Sequence, residues 1–139
     1  MGLVYADIEI LSSEDLFAYR RGNLAKSDIK SVAVTALVDS GAYMLSINEN
    51  IKAQLDLTVI EEQVAELADG SRIKLEVVGP VDVRFANRST SARALVLPGD
   101  AEVLLGAIPM EDLDVVIDPK RQMLLVNPAH PNIAEKKLK

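Results

Sequence analysis

Apolar and polar residues alternate along this chain in short blocks, and most blocks carry the two-residue period of strands. The first ends in Asp7-Ile8-Glu9-Ile10, which predicts a strand with one wet face. Ser12-Ser13-Glu14-Asp15 then offers hydroxyls to cap a helix and acids suited to its positive end. Leu16, Phe17 and Tyr19 would pack that short helix before Gly22 stops it. Residues 20–30 are charged and interrupted by Gly22-Asn23, which predicts a turn or exposed loop. From 31 to 38 nearly every residue is apolar or β-branched, the pattern of a strand buried on both faces.

Ser46-Ile47-Asn48-Glu49 has capping-box spacing, and Ile47, Ile51 and Leu55 make a one-sided stripe, so a helix is predicted near 48–55. Strands are predicted over 57–64 and 66–78, joined through Ala68-Asp69-Gly70-Ser71, because Asp-Gly accepts the positive φ of a hairpin turn. Gly79-Pro80 marks a break, after which 81–85 and 92–97 read as strands separated by a polar turn at 87–91. Beyond the Pro98-Gly99-Asp100 turn, Val103-Leu104-Leu105-Gly106 is a further apolar strand ending in glycine. A short helix near 109–113 follows, with proline in its first turn. Strands at 115–117 and 123–126 flank the Asp118-Pro119-Lys120-Arg121 turn, and Pro128 and Pro131 end regular structure. Many short strands with one or two small helices predict a mostly-β barrel or sandwich, without repeat or linker.

Composition narrows the picture. The 139 residues suit one domain, and 49% hydrophobic content with only 4% aromatic calls for an aliphatic core. The absence of cysteine excludes disulfides and thiolate metal sites and suits a reducing cytosol. No signal peptide is apparent and no run nears the ~20 apolar residues of a membrane span, so a cytoplasmic protein without a membrane partner is expected. A net charge of −6 argues against nucleic acid as the main partner. Lys136-Lys137-Leu138-Lys139 reads as a frayed, solvated tail.

Three motifs carry candidate chemistry. Asp39-Ser40-Gly41 on its own is ordinary turn material, but here a wholly apolar strand delivers the aspartate, and a carboxylate so placed needs partners. Gly41 and Ala42 would offer backbone N–H groups. Leu104-Leu105-Gly106 is either a core strand before a turn or a strand that passes close beside the Asp39 loop, where a Cβ would clash. Asp69-Gly70 is a plain hairpin or the tip of a mobile flap. A serine hydrolase is excluded by the single histidine, His130, expected on the surface of a proline-rich stretch with no fixed scaffold. Glu111, Asp112, Asp114 and Asp118 lack EF-hand spacing and read as a solvated acidic face, so no metal or other cofactor is expected.

Leu37-Val38-Asp39-Ser40-Gly41-Ala42, a hairpin some thirty residues on, and Val103-Leu104-Leu105-Gly106 before a short helix together resemble the retropepsin-like aspartic proteases. The resemblance spans about residues 30–126 of one domain, 1–139, leaving 1–29 as an N-terminal extension and 128–139 as a tail. It implies a closed, mostly-β barrel of that type and an aspartic endopeptidase. Asp39, Ser40 and Gly41 would be catalytic, with Ala42, Ala68, Asp69, Gly70, Ser71, Leu104, Leu105 and Gly106 lining the substrate site. Ala107, and a tip poor in glycine, depart from the viral pattern and point to bacterial or cellular relatives. Only one Asp-Ser-Gly occurs, so a two-aspartate site requires a homodimer acting on a peptide or protein substrate. The rival expectation is a catalytically silent peptide-binding or dimerisation module on the same fold.

Overall fold

The computed structural model describes residues 2–138, so Lys139 of the predicted solvated tail lies outside the described residues. The strands are β1 (Tyr5–Ser12), β2 (Ser31–Val38), β3 (Leu45–Asn48), β4 (Val59–Glu66), β5 (Arg72–Phe85), β6 (Arg88–Leu97), β7 (Leu104–Leu105), β8 (Val115–Asp118) and β9 (Met123–Val126). The helices are α1 (Ser13–Arg20), α2 (Glu49–Leu55) and α3 (Ala107–Leu113). None of the described helices is long and apolar enough to cross a membrane.

Seven strands form one sheet in the order β1-β2-β7-β3-β6-β5-β4, and an added β1–β5 pairing bends it into a ring. β5 is the strand that makes this possible. One of its edges pairs with β6, while the other pairs first with β4 and then with β1. The change of partner falls at Gly79-Pro80, where the register with β6 shifts between Val78 and Val81. Gly79 takes a φ of 124°, open mainly to glycine, and Pro80 has no N–H to leave unpaired. The predicted break is therefore a bulge inside one continuous strand. The predicted polar turn at 87–91 is also shorter than expected, because Arg88 already pairs with Phe85 and only Ala86 and Asn87 make the turn.

Ile10, Leu45, Ile47, Leu55, Leu105 and Val83 are fully buried inside the ring, an aliphatic core as composition demands. Each such side chain contributes about 1.5–3 kcal/mol by leaving water. α2 closes one end of the core with Ile51 and Leu55. Its cap is Asn48, whose Oδ1 accepts from the Ile51 N–H at 3.0 Å, so Ser46 and Ile47 belong to β3 and not to a capping box. α1 starts at the expected place, with Ser12 Oγ accepting from the Asp15 N–H. Only Leu16 of its apolar residues is buried; Phe17 and Tyr19 face solvent at 57% and 40% exposure.

β2 is not buried on both faces. Val32, Val34, Ala36 and Val38 turn inward, while Ala33 and Thr35 stand in solvent and Thr35 donates to Asp7. Small and hydroxylated residues inside a β-branched run are compatible with exposure, so continuity alone overstated burial. β8 and β9 form a separate two-stranded sheet. Beyond them, residues 127–137 fold back onto α3, where Asp114 gathers Asn127, His130 and Glu135. His130 is thus half-buried and held by its ring, contrary to expectation. Asp114 is likewise no solvated acid, since only 12% of its side chain is exposed.

Candidate active site

Asp39 stands where β2 runs out between two neighbours. On one side the Val38 N–H donates to Val4 O at 2.8 Å. On the other, β2 and β7 run parallel, with Leu37 opposite Leu104 and Val38 opposite Leu105. The Leu37 N–H donates to Val103 O at 2.8 Å and the Asp39 N–H to Leu105 O at 3.0 Å. The aspartate backbone is therefore fixed before the turn begins.

The turn is closed by two further bonds. The Ala42 N–H donates to Asp39 O at 3.1 Å, and the Gly41 N–H donates to Asp39 Oδ1 at 2.9 Å. The second bond orients the carboxylate, which is half-buried while Ser40 and Gly41 are exposed. Gly106 then fits flush against the back of this loop. A Cβ there would lie 2.7 Å from Tyr43 C and 2.8 Å from Ala42 O, and nearer still to Met44 O. Because its φ is −87°, an ordinary value, glycine is needed here for space and not for conformation. The close approach lets the Ala107 N–H reach Ala42 O at 2.7 Å and the Ile108 N–H reach Tyr43 O at 2.9 Å. Asp39, Ser40, Gly41, Ala42, Leu104, Leu105 and Gly106 thus form one constellation.

Ala68, Asp69, Gly70 and Ser71 lie apart from it, at the exposed tip of the arm that β4 makes with the first half of β5. The tip is held from within: the Leu67 N–H donates to Ser71 O, and the Ser71 N–H and hydroxyl both donate to Asp69 Oδ1. The Ser71 hydroxyl and then its N–H hold the Asp69 carboxyl below its ordinary range. Among the described residues, no hydrogen bond joins this tip to the Asp39 loop.

Three neighbours of the loop carry no motif and escaped the sequence. Tyr43 and Ile108 are exposed at 77% and 57%, and Met44 lines a cavity of about 280 Å³ together with Leu45, Arg93, Ile108 and Pro109. Only their position beside the two glycine motifs could have singled them out. Among the described residues, no group of three or more His, Cys, Asp or Glu side chains is placed to hold a metal ion. Asp112 and Asp118 from the acidic set are engaged with Thr90 and with the turn amides of Lys120 and Arg121.

The ring of strands is similar to the crystal structure of the retroviral protease-like domain of Ddi1 from Leishmania major, with a TM-score of 0.56. The two are 18% identical over 92% of this chain and 90% of that one, so the likeness shows the fold. No curated protein matches the sequence. The model of the aspartyl protease family matches residues 25–124, which include both the Asp39 turn and Gly106. The chain belongs to the aspartyl protease family.

Proposed function

We propose that the protein is a cytoplasmic aspartic endopeptidase that works as a homodimer, each copy contributing one Asp39. The observation that carries this proposal is the Asp39 loop itself. Its carboxylate is oriented by the Gly41 N–H, and its backbone is fastened to β7 and to the start of α3 through the space left by Gly106. The amide hydrogen bond to the carboxylate recurs in the Asp69 and Asp118 turns, so it is the fastening through Gly106 that sets this loop apart, and a reacting carboxylate must be held in place. The single Asp-Ser-Gly supports the second copy, as do the apolar residues near it: Leu3 and Tyr5 are 65% and 42% exposed beside the end of β2.

In the dimer, two carboxylates a few ångströms apart cannot both ionise comfortably, so they share one proton and titrate as a pair. The ionised member takes a proton from a bound water, which attacks the peptide carbonyl. The protonated member donates to that carbonyl oxygen, and a proton then passes to the leaving amine. Gly41 N–H holds the carboxylate, Ser40 bonds across the two-fold axis, and the arm with Ala68, Asp69, Gly70 and Ser71 closes over the substrate to exclude water. Ala42, Leu104, Leu105 and Gly106 frame the floor. The free outer edge of β4 favours one other reading, capture of an extended peptide by strand addition without cleavage.

Digestion of an unbiased peptide pool across acidic to neutral pH separates them. Wild type should cleave and Asp39→Asn should lose at least ~100-fold in rate while staying folded. Equal turnover by both proteins, or a wild type that binds peptide without ever cutting it, refutes the proposal.

A further inference from the structure

The segment after β9 is held by a side-chain hub that the hydrolytic site does not use. Asp114, at the C-terminal end of α3, accepts from Asn127 Nδ2 at 3.0 Å through Oδ1 and from the Glu135 N–H at 3.0 Å through Oδ2. The same Oδ2 lies 2.7 Å from His130 Nδ1. On the far side of the ring, Nε2 lies 3.0 Å from Glu135 Oε2. The other charged neighbour is Arg88, fully enclosed, which donates through Nη2 to the His130 carbonyl oxygen. Asn87 donates to Pro131 O at 2.9 Å, and Lys136 pairs with Asp112 at 3.5 Å.

Counting protons at the ring decides what this hub does. An ionised carboxylate only accepts, so an imidazole with a carboxylate at each nitrogen satisfies both only when both nitrogens carry hydrogen. Asp114 is firmly ionised: the Glu135 N–H, then Asn127 and His130, hold its carboxyl down to about 2. A neutral ring has one N–H to give. The more enclosed Asp114 side chain, 12% exposed, keeps it, and the 71% exposed Glu135 is left facing a lone pair and turns to water.

The segment also borders α3 across a cavity. Glu135, Lys136 and Lys137 line an open cavity of about 600 Å³ together with Ile108, whose N–H is bonded to Tyr43 of the Asp39 loop. We infer that residues 127–137 are a strap that closes along α3 when His130 is doubly protonated, and that His130 and Asp114 are thereby positioning residues for the Asp39 loop. The strap's effect on hydrolysis rests on the proposed role of Asp39; its closure does not.

His130 is the only histidine, so its ring signals in a nuclear magnetic resonance spectrum are unambiguous. The test follows those signals from about pH 5 to 8, together with amide hydrogen exchange over 127–137 in the full chain, each rate referenced to an unprotected chain at the same pH. Opening of the strap should rise about two- to fivefold as the ring loses its proton, the range for an exposed ion pair. Glu135→Gln should weaken that dependence, because the amide can face either ring form with a suitable atom while the Asp114 carboxylate still favours the charged ring. Protection that ignores the titration, or a Glu135→Gln strap that opens as wild type does, overturns the strap. In peptide cleavage, Glu135→Gln should extend activity to higher pH, whereas a merely structural residue would scale the rate equally at every pH. Superimposable profiles overturn the link to the Asp39 loop. Absence of cleavage in every protein defeats the protease proposal instead, and hydrogen exchange then decides the strap by itself.

Discussion

Gly106→Ala isolates the close approach on which the Asp39 loop depends. The backbone at this position, φ −87° and ψ −178°, suits alanine, so conformational strain contributes nothing. The cost is steric. The added methyl group meets three backbone atoms, Met44 O, Tyr43 C and Ala42 O, and none of them belongs to a flexible side-chain end that could move aside. Overpacking of this kind costs about 1–3 kcal/mol. Pushing the strands apart also weakens the bonds from Ala107 to Ala42 and from Ile108 to Tyr43, each worth about 1 kcal/mol. Together these make ~3–5 kcal/mol, a large share of the ~5–15 kcal/mol that holds a domain folded. A chain of this size should then melt roughly 10–20 °C lower. Gly99→Ala is the control, since its φ of 61° is strained for alanine while its surroundings are empty. It should lose only about 1 kcal/mol. Urea unfolding followed by circular dichroism measures both. If Gly106→Ala unfolds within ~0.5 kcal/mol of wild type, or loses less than Gly99→Ala, the loop is not held as described.

Other perturbations test separate parts of the molecule. Asn48→Ala removes both the cap on Ile51 and the bond to Ala101 O, and should lower stability by about 1–2 kcal/mol in urea unfolding. Asp114 has its folded carboxyl at about 2, below the ordinary 3.8, so its stabilising effect is complete above 3.8 and is lost as pH falls through 2. The gap in urea midpoint between wild type and Asp114→Asn should accordingly close over that interval. Ser71→Ala should let the Asp69 carboxyl rise toward its ordinary value, which a side-chain carboxyl titration by nuclear magnetic resonance reads directly.

What the sequence displayed well was local and periodic. The run ending at Asp39, the Asp69-Gly70 turn and the aliphatic core each follow from neighbouring residues and are found where expected, and of the stripe Ile47, Ile51 and Leu55 the last two lie on α2 while Ile47 belongs to β3. Partner choice between distant strands was hidden. Nothing within 79–80 announces that β5 exchanges β4 for β1 there, and a Gly-Pro pair on its own terms is a break. Distance in the chain likewise hid the hub. Asp114 and His130 lie 16 positions apart across strand and turn, and no periodic pattern relates them. Phe17 and Tyr19 show the converse limit: apolar character does not reveal which side of a short helix meets the core.

The two parts of the proposed site are built to opposite mechanical ends. Around Asp39, four bonds from Leu37, Asp39, Ala107 and Ile108 tie two stretches of backbone, 37–43 and 103–108, together, with Gly106 permitting the contact. Opening that loop means breaking several bonds of about 1 kcal/mol at once. Among the described residues, the tip of the β4–β5 arm has its hydrogen bonds within residues 67–71. It is held from within, at the end of an arm whose β4 strand is exposed along most of its length. Under the proposed function, hydrolysis of a bound peptide calls for a fixed base and for a cover that admits the chain and then excludes water. A module that only gripped peptides would gain from the arm but would have no use for the fixed carboxylate. The fastening of Asp39 is therefore the feature that favours cleavage over capture.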